Sequence, residues 1–80
     1  MITSEQVRAA RALLRWEQKD LAEASKVSLP SIKRLEGQPG ILAAQDRTVT
    51  AIVEAFIHAG VVFLGSGAKI DGGLGVRLKS

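Results

Sequence analysis

Apolar residues recur along this chain at helical spacing up to residue 59 and then change character. Val7, Ala10 and Leu14 stand at i, i+3 and i+7, which predicts a helix over Glu5 to Leu14. Arg8 and Arg15 fall on its wetter side. Thr3 with Gln6 fits a capping box at its start, and Ser4 is the other candidate cap. A second helix is expected over Gln18 to Ala24, burying Leu21 and Ala22. Lys26-Val27 then forms a turn. A third helix follows Ser28, a good N-cap, and runs to Leu35 with Ile32 and Leu35 inward. Pro30 sits in its first turn, where a missing N–H costs little. Gly37 closes it, and Gly37-Gln38-Pro39-Gly40 is a break.

A fourth helix is predicted from Arg47 to Ala59, with Asp46 as its cap. Val49, Ile52, Val53, Phe56 and Ile57 give it an apolar face wider than one small core needs. Gly60 is a natural residue to follow its end. Val61-Val62-Phe63-Leu64 and Gly75-Val76-Arg77-Leu78 read as two short strands. The 65–73 segment between them is too long for a tight hairpin turn, and Gly65-Ser66-Gly67 and Gly72-Gly73 read as flexible turns. The pattern therefore predicts a mainly α fold of four to five helices with a C-terminal β-hairpin or strand pair. Residues 1–60 form the helical domain and 61–80 a β extension.

Composition narrows what such a chain does. Its 80 residues make one domain. A domain this small buries only about 60% of the surface that its unfolded chain exposes. It has no cysteine, so disulfides and thiolate metal sites are excluded. The one histidine, His58, cannot form a histidine metal cluster and is most simply an exposed residue favouring a helix C-terminus. No catalytic set is found: a Ser or Thr nucleophile would need His58, and nothing nearby orients it. No strand–GxxxxGK[ST]–helix order makes a phosphate loop, and Asp20 and Glu23 lie on an exposed helix side. The sequence thus predicts no enzyme activity, no metal and no cofactor. No stretch reaches 18 apolar residues and no signal peptide is read at the start, so a cytoplasmic protein without membrane contact is expected. The net charge of +3 permits an anionic partner without demanding one.

The second and third helices, joined by about three residues, have helix-turn-helix spacing. Gln18, Leu21, Ala22, Val27, Ile32, Leu35 and Glu36 carry a more specific pattern. With them, the segment from Leu14 to Glu36 resembles the Cro/CI-type (XRE) helix-turn-helix of phage repressors and bacterial regulators, over roughly residues 5–57. The resemblance implies a lambda-repressor-like fold that lays its third helix in the major groove of duplex DNA. It implies that Ala22 is small because helices cross there, and that Gln18 bonds a phosphate and braces the recognition helix. It also implies that Arg11 pairs with Glu36. The second helix's N-terminus would offer free N–H groups to phosphate. Lys26 stands where the family usually has a left-handed glycine, at a cost of about 1 kcal/mol. Ser28, Leu29, Pro30 and Ser31 lead the recognition helix. Leu29 and Pro30 offer only apolar contact, for instance to a thymine methyl, while Ser31 donates or accepts. Arg34 is the candidate for guanine and Lys33 for phosphate. Such a thin base code leans on DNA shape.

Plainer readings stand beside these. Gln18 is also an ordinary first-turn glutamine, Lys33-Arg34 a solvated pair, and Trp16 a core plug. The tail is similar to that of small regulators of this kind carrying Ala-Gly-Val-x-Phe and Gly-Val-Arg-Leu, here Ala59–Phe63 and Gly75–Leu78. A two-stranded ribbon is marginal alone. Val61, Val62, Phe63, Leu64, Val76 and Leu78 are therefore expected to dimerise the chain, or else to fold as a monomeric hairpin over the fourth helix. The whole predicts a transcriptional regulator, a repressor before an activator, bound as a homodimer to a near-palindromic operator with recognition helices about 34 Å apart. The alternative is a protein-interaction or antitoxin-like module that uses the helices as a scaffold and the strands to hold a protein partner.

Overall fold

The computed structural model describes residues 2–64 and 75–79. Four helices precede two strands: α1 (Ser4–Leu14), α2 (Gln18–Ser25), α3 (Leu29–Glu36), α4 (Asp46–His58), β1 (Val61–Leu64) and β2 (Gly75–Leu78). The fold is mainly α with a C-terminal strand pair, as the pattern predicts. The expected glycine turns at 65–67 and 72–73 lie outside the described residues. Among the described residues no helix is long and apolar enough to cross a membrane.

Capping sets the helix starts. Thr3 caps α1: its Oγ1 accepts the Gln6 N–H at 3.1 Å, and Gln6 Oε1 accepts the Thr3 N–H at 3.0 Å. Ser4 is instead the first helical residue and fully buried. Ser28 caps α3 by accepting the Ser31 N–H at 3.3 Å. The expected cap of α4 is displaced by one residue. Gln45 takes the extended N-cap conformation (φ −65°, ψ 153°), and Asp46 is the first helical residue, where its charge still meets the positive end of the helix. Gly37 ends α3 in a right-handed conformation (φ −78°), so that end does not use glycine's freedom. Gly60 does use it, at φ 97° after α4.

The core joins all four helices to β1. Val7 and Ala10 of α1, Leu21 of α2, Ile32 and Leu35 of α3, Ile52, Ala55 and Phe56 of α4, and Val61 are buried together. Trp16 is half-buried and stacks on Phe56 with centroids 5.7 Å apart; Phe63 meets the same ring edge-on at 5.9 Å. The apolar face of α4 is narrower in effect than its sequence suggests. Val49 and Val53 pack against the core, leaving Ile57 exposed.

β1 and β2 pair antiparallel within the chain, Val61 opposite Leu78 and Leu64 opposite Gly75. Val61 is buried in its own core, and Phe63 and Val76 pack on it. These three expected dimer contacts are thus already used inside one chain. Val62 and Leu64 are half-buried, and Leu78 keeps 41% of its surface exposed.

Gln6 fastens this ribbon. Its amide nitrogen donates to Leu64 O and to Gly75 O, each at 3.1 Å, while its oxygen completes the α1 cap. One buried side chain thus holds both strand ends against the first helix. A second tie joins residues 2–4 to 40–42. Ser4 N donates to Gly40 O, Leu42 N donates to Ile2 O, and the Glu5 carboxylate accepts the Gly40 N–H at 3.1 Å.

Gln6→Ala removes these bonds and strands two carbonyls. We expect a loss of about 2–3 kcal/mol in denaturant unfolding, with hydrogen-exchange protection lost first at residues 75–78. Glu5 supplies a pH signature. Hydrogen bonds from its own backbone N–H and from Gly40 hold its carboxyl below the ordinary value of 4.5. A depressed pKa stabilises the fold above the unfolded value, and that contribution is lost as pH falls through the folded value. The melting-temperature difference between wild type and Glu5→Gln should therefore be present at pH 7 and close as pH drops below about 4.5.

Candidate nucleic-acid interface

The sequence-predicted site gathers on α3 and on the turn before it. α2 ends at Ser25, whose hydroxyl donates to Leu21 O at 2.7 Å and accepts the Val27 N–H at 3.2 Å, closing the turn. Lys26 takes the left-handed conformation (φ 64°) expected of a glycine position. Ile32 and Leu35 bury one side of α3. Pro30, Lys33 and Arg34 are exposed at i, i+3 and i+4, so they share its opposite face. Leu29 and Ser31 are half-buried. The Ser28 hydroxyl donates to Ser31 Oγ at 2.9 Å, so the two serines are partly engaged with each other.

What holds α3 is its last residue. Glu36 is 5% exposed, and a carboxylate so buried must be paired. Arg11 of α1 donates from Nε to Oε2 at 2.7 Å and from Nη2 to Oε1 at 2.6 Å, a two-pronged pair. Arg11 Nη1 also donates to Trp16 O at 3.0 Å, which fixes the α1–α2 connection. The Gln18 amide nitrogen donates to Glu36 Oε1 at 3.2 Å. Arg8 Nη1 donates to the Glu36 carbonyl at 2.6 Å, answering one of the open carbonyls at the end of α3. The Arg11–Glu36 pair and the bracing part of Gln18 are present as the resemblance implied. The role of Arg8 was missed. Its spacing from Arg11 was the available signal, because i and i+3 place both on one side of α1.

The start of α2, where a phosphate site is expected, carries acidic side chains. The Glu17 N–H is taken by Asp20 Oδ2 at 2.8 Å. Glu17 itself is exposed, with Lys19 Nζ 3.9 Å from its carboxylate. Two carboxylates thus stand at this helix end and offset its dipole, although Asp20 takes only the Glu17 N–H. Other cations are Lys33 and Arg34 in the last turn of α3, Arg8 beside that turn, and Arg15 and Lys26 at the C-terminal caps of α1 and α2. His58 is exposed in the last turn of α4.

No protein-family model and no curated protein matches this chain.

Arg11→Ala leaves the Glu36 charge buried without its main partner. Equilibrium unfolding should show a loss of about 3–5 kcal/mol, whereas Arg11→Met with Glu36→Leu, which removes both charges, should cost much less.

Proposed function

We propose that this protein binds duplex DNA through α3 as a helix-turn-helix transcriptional regulator of the Cro/CI kind. The observation that carries the reading is the combination on one short helix. Its inner side is locked by Ile32, Leu35 and the buried Glu36 network, and its outer side presents Pro30, Lys33 and Arg34. A rigid helix with exposed cations is what major-groove reading requires, since base contacts need fixed side-chain origins. In this reading Arg34 donates to guanine, Lys33 meets phosphate, and Leu29 and Pro30 touch thymine methyls. Gln18 serves as a brace, because its amide donors are turned toward Glu36.

Two copies on a near-palindromic site remain part of the proposal, with Leu78 and Ile57 among four exposed apolar residues, beside Leu13 and Ile41, open to a partner. A second reading, a protein-binding module, has one observation in its favour: the leading turn of α3 carries no cation, and Lys19 at the start of α2 stands beside the Glu17 carboxylate. Salt separates the two. Binding to generic duplex should weaken steeply as salt rises if phosphates are engaged.

Arg34→Ala should lower affinity for a preferred site by about 1–3 kcal/mol and flatten the preference for it. Lys33→Ala should weaken all duplexes alike and reduce the salt slope by about one. Fluorescence anisotropy on labelled duplexes checks both. Duplex affinity indifferent to both substitutions at low salt excludes the reading.

A further inference from the structure

Among the described residues, two non-glycine positions lie in the left-handed region, Arg15 at φ 58° and Lys26 at φ 64°. Glycine adopts that conformation without the Cβ clash that any other residue meets. Each position is the C-terminal cap of a helix, Arg15 of α1 and Lys26 of α2. Each side chain is exposed, and among the described residues neither makes a hydrogen bond or ion pair. That sets Arg15 apart from the arginines of α1, since Arg8 and Arg11 are both engaged with Glu36. The two strained caps also flank one element. Arg15 lies three residues before the start of α2 and Lys26 one residue after its end, with about 12 Å of helix between.

We propose that Arg15 and Lys26 are paired backbone-phosphate anchors at the two ends of α2. The inference rests on the duplex-binding reading and adds Arg15 to it. In a helix-turn-helix the first helix of the pair crosses the DNA backbone while the second enters the groove. α2 is the helix that crosses. Its own start carries the Glu17 and Asp20 carboxylates, and its one cation, Lys19, lies 3.9 Å from Glu17, so unopposed positive charge comes from its flanks. Arg15 and Lys26 supply it, one before the helix and one after it. Strain retained at two exposed, unpaired cations points to a role that glycine cannot fill. Attraction to the helix C-terminal dipole is the competing account. It predicts lost stability on neutralisation and no change toward DNA.

The test uses the full chain and a labelled 20-base-pair duplex of arbitrary sequence, titrated at several salt concentrations. Arg15→Gln and Lys26→Gln keep a side chain in place and remove the charge. Each should reduce the slope of log affinity against log salt by about one and weaken binding about eightfold at 0.1 M salt, the counterion contribution of one contact. Lys79→Gln is the control. It neutralises an exposed cation beyond β2, on the sheet that packs against α1 and α4, and should leave the slope unchanged. The double variant Arg15→Gly, Lys26→Gly should melt at a higher temperature than wild type and bind more weakly. Wild-type binding that falls with salt, with slope and affinity unaltered in either Gln variant, overturns the paired anchors and leaves the α3 reading standing. A wild-type chain that does not bind the duplex at 20 mM salt overturns both.

Discussion

The buried carboxylate of Glu36 is the constraint on which the arrangement of helices depends. A charge removed from water is costly until it is paired and hydrogen-bonded, and here its partners come from separate elements. Arg11 brings α1, Gln18 brings α2, and the carboxylate ends α3. Three helices too short to be stable alone are thereby set against one another at a single point. Apolar contact through Leu21, Ile32 and Leu35 supplies most of the adhesion, but it is non-directional. The two-pronged arginine and the amide give the junction a defined geometry, and with it a defined direction for the exposed face of α3.

α1 does the matching work on its other side. Arg8 and Arg11 face α3, whereas Gln6, one turn earlier, reaches both strand ends. The ribbon could not persist by its own ladder. It is held by that glutamine, by Val61 in the core, and by Phe63 against Phe56. The apolar residues that made a dimerising tail attractive are in large part the ones that seat it on its own chain. A cysteine-free domain of this size therefore uses its two strands partly to complete its core.

Most of the fold was legible because its signals are local. Ser28 and Pro30 announce the start of α3, Thr3 and Gln6 announce α1, and both strands fall where the apolar runs lie. The start of α4 was misplaced by one residue, since Gln45 and Asp46 are adjacent and a cap is set by backbone conformation. Of the candidate site, Arg11 with Glu36 and the left-handed Lys26 were foreseen through the resemblance, and the exposed Lys33 and Arg34 through helix periodicity. What the sequence hid is long-range or reciprocal. Gln6 bonds carbonyls 58 and 69 residues away, and Arg8 bonds a carbonyl 28 away. The Asp20 bond to the Glu17 N–H shows only once α2 has formed, and it brings a carboxylate to that helix end.

These features give the charge of the chain a location. Seven of its 11 cations lie within residues 1–36, among them Arg15 and Lys26 at the two ends of α2 and Lys33 and Arg34 in the last turn of α3. Under the proposed duplex-binding reading, that distribution suits a surface which meets one DNA backbone and reads sparingly from a single helix. The most direct measurement is selection of bound sequences from a random duplex pool by the full-length protein. The account predicts enrichment of a short motif containing guanine, arranged as two half-sites about one helical turn apart. A pool that stays unenriched through successive rounds at low salt contradicts it.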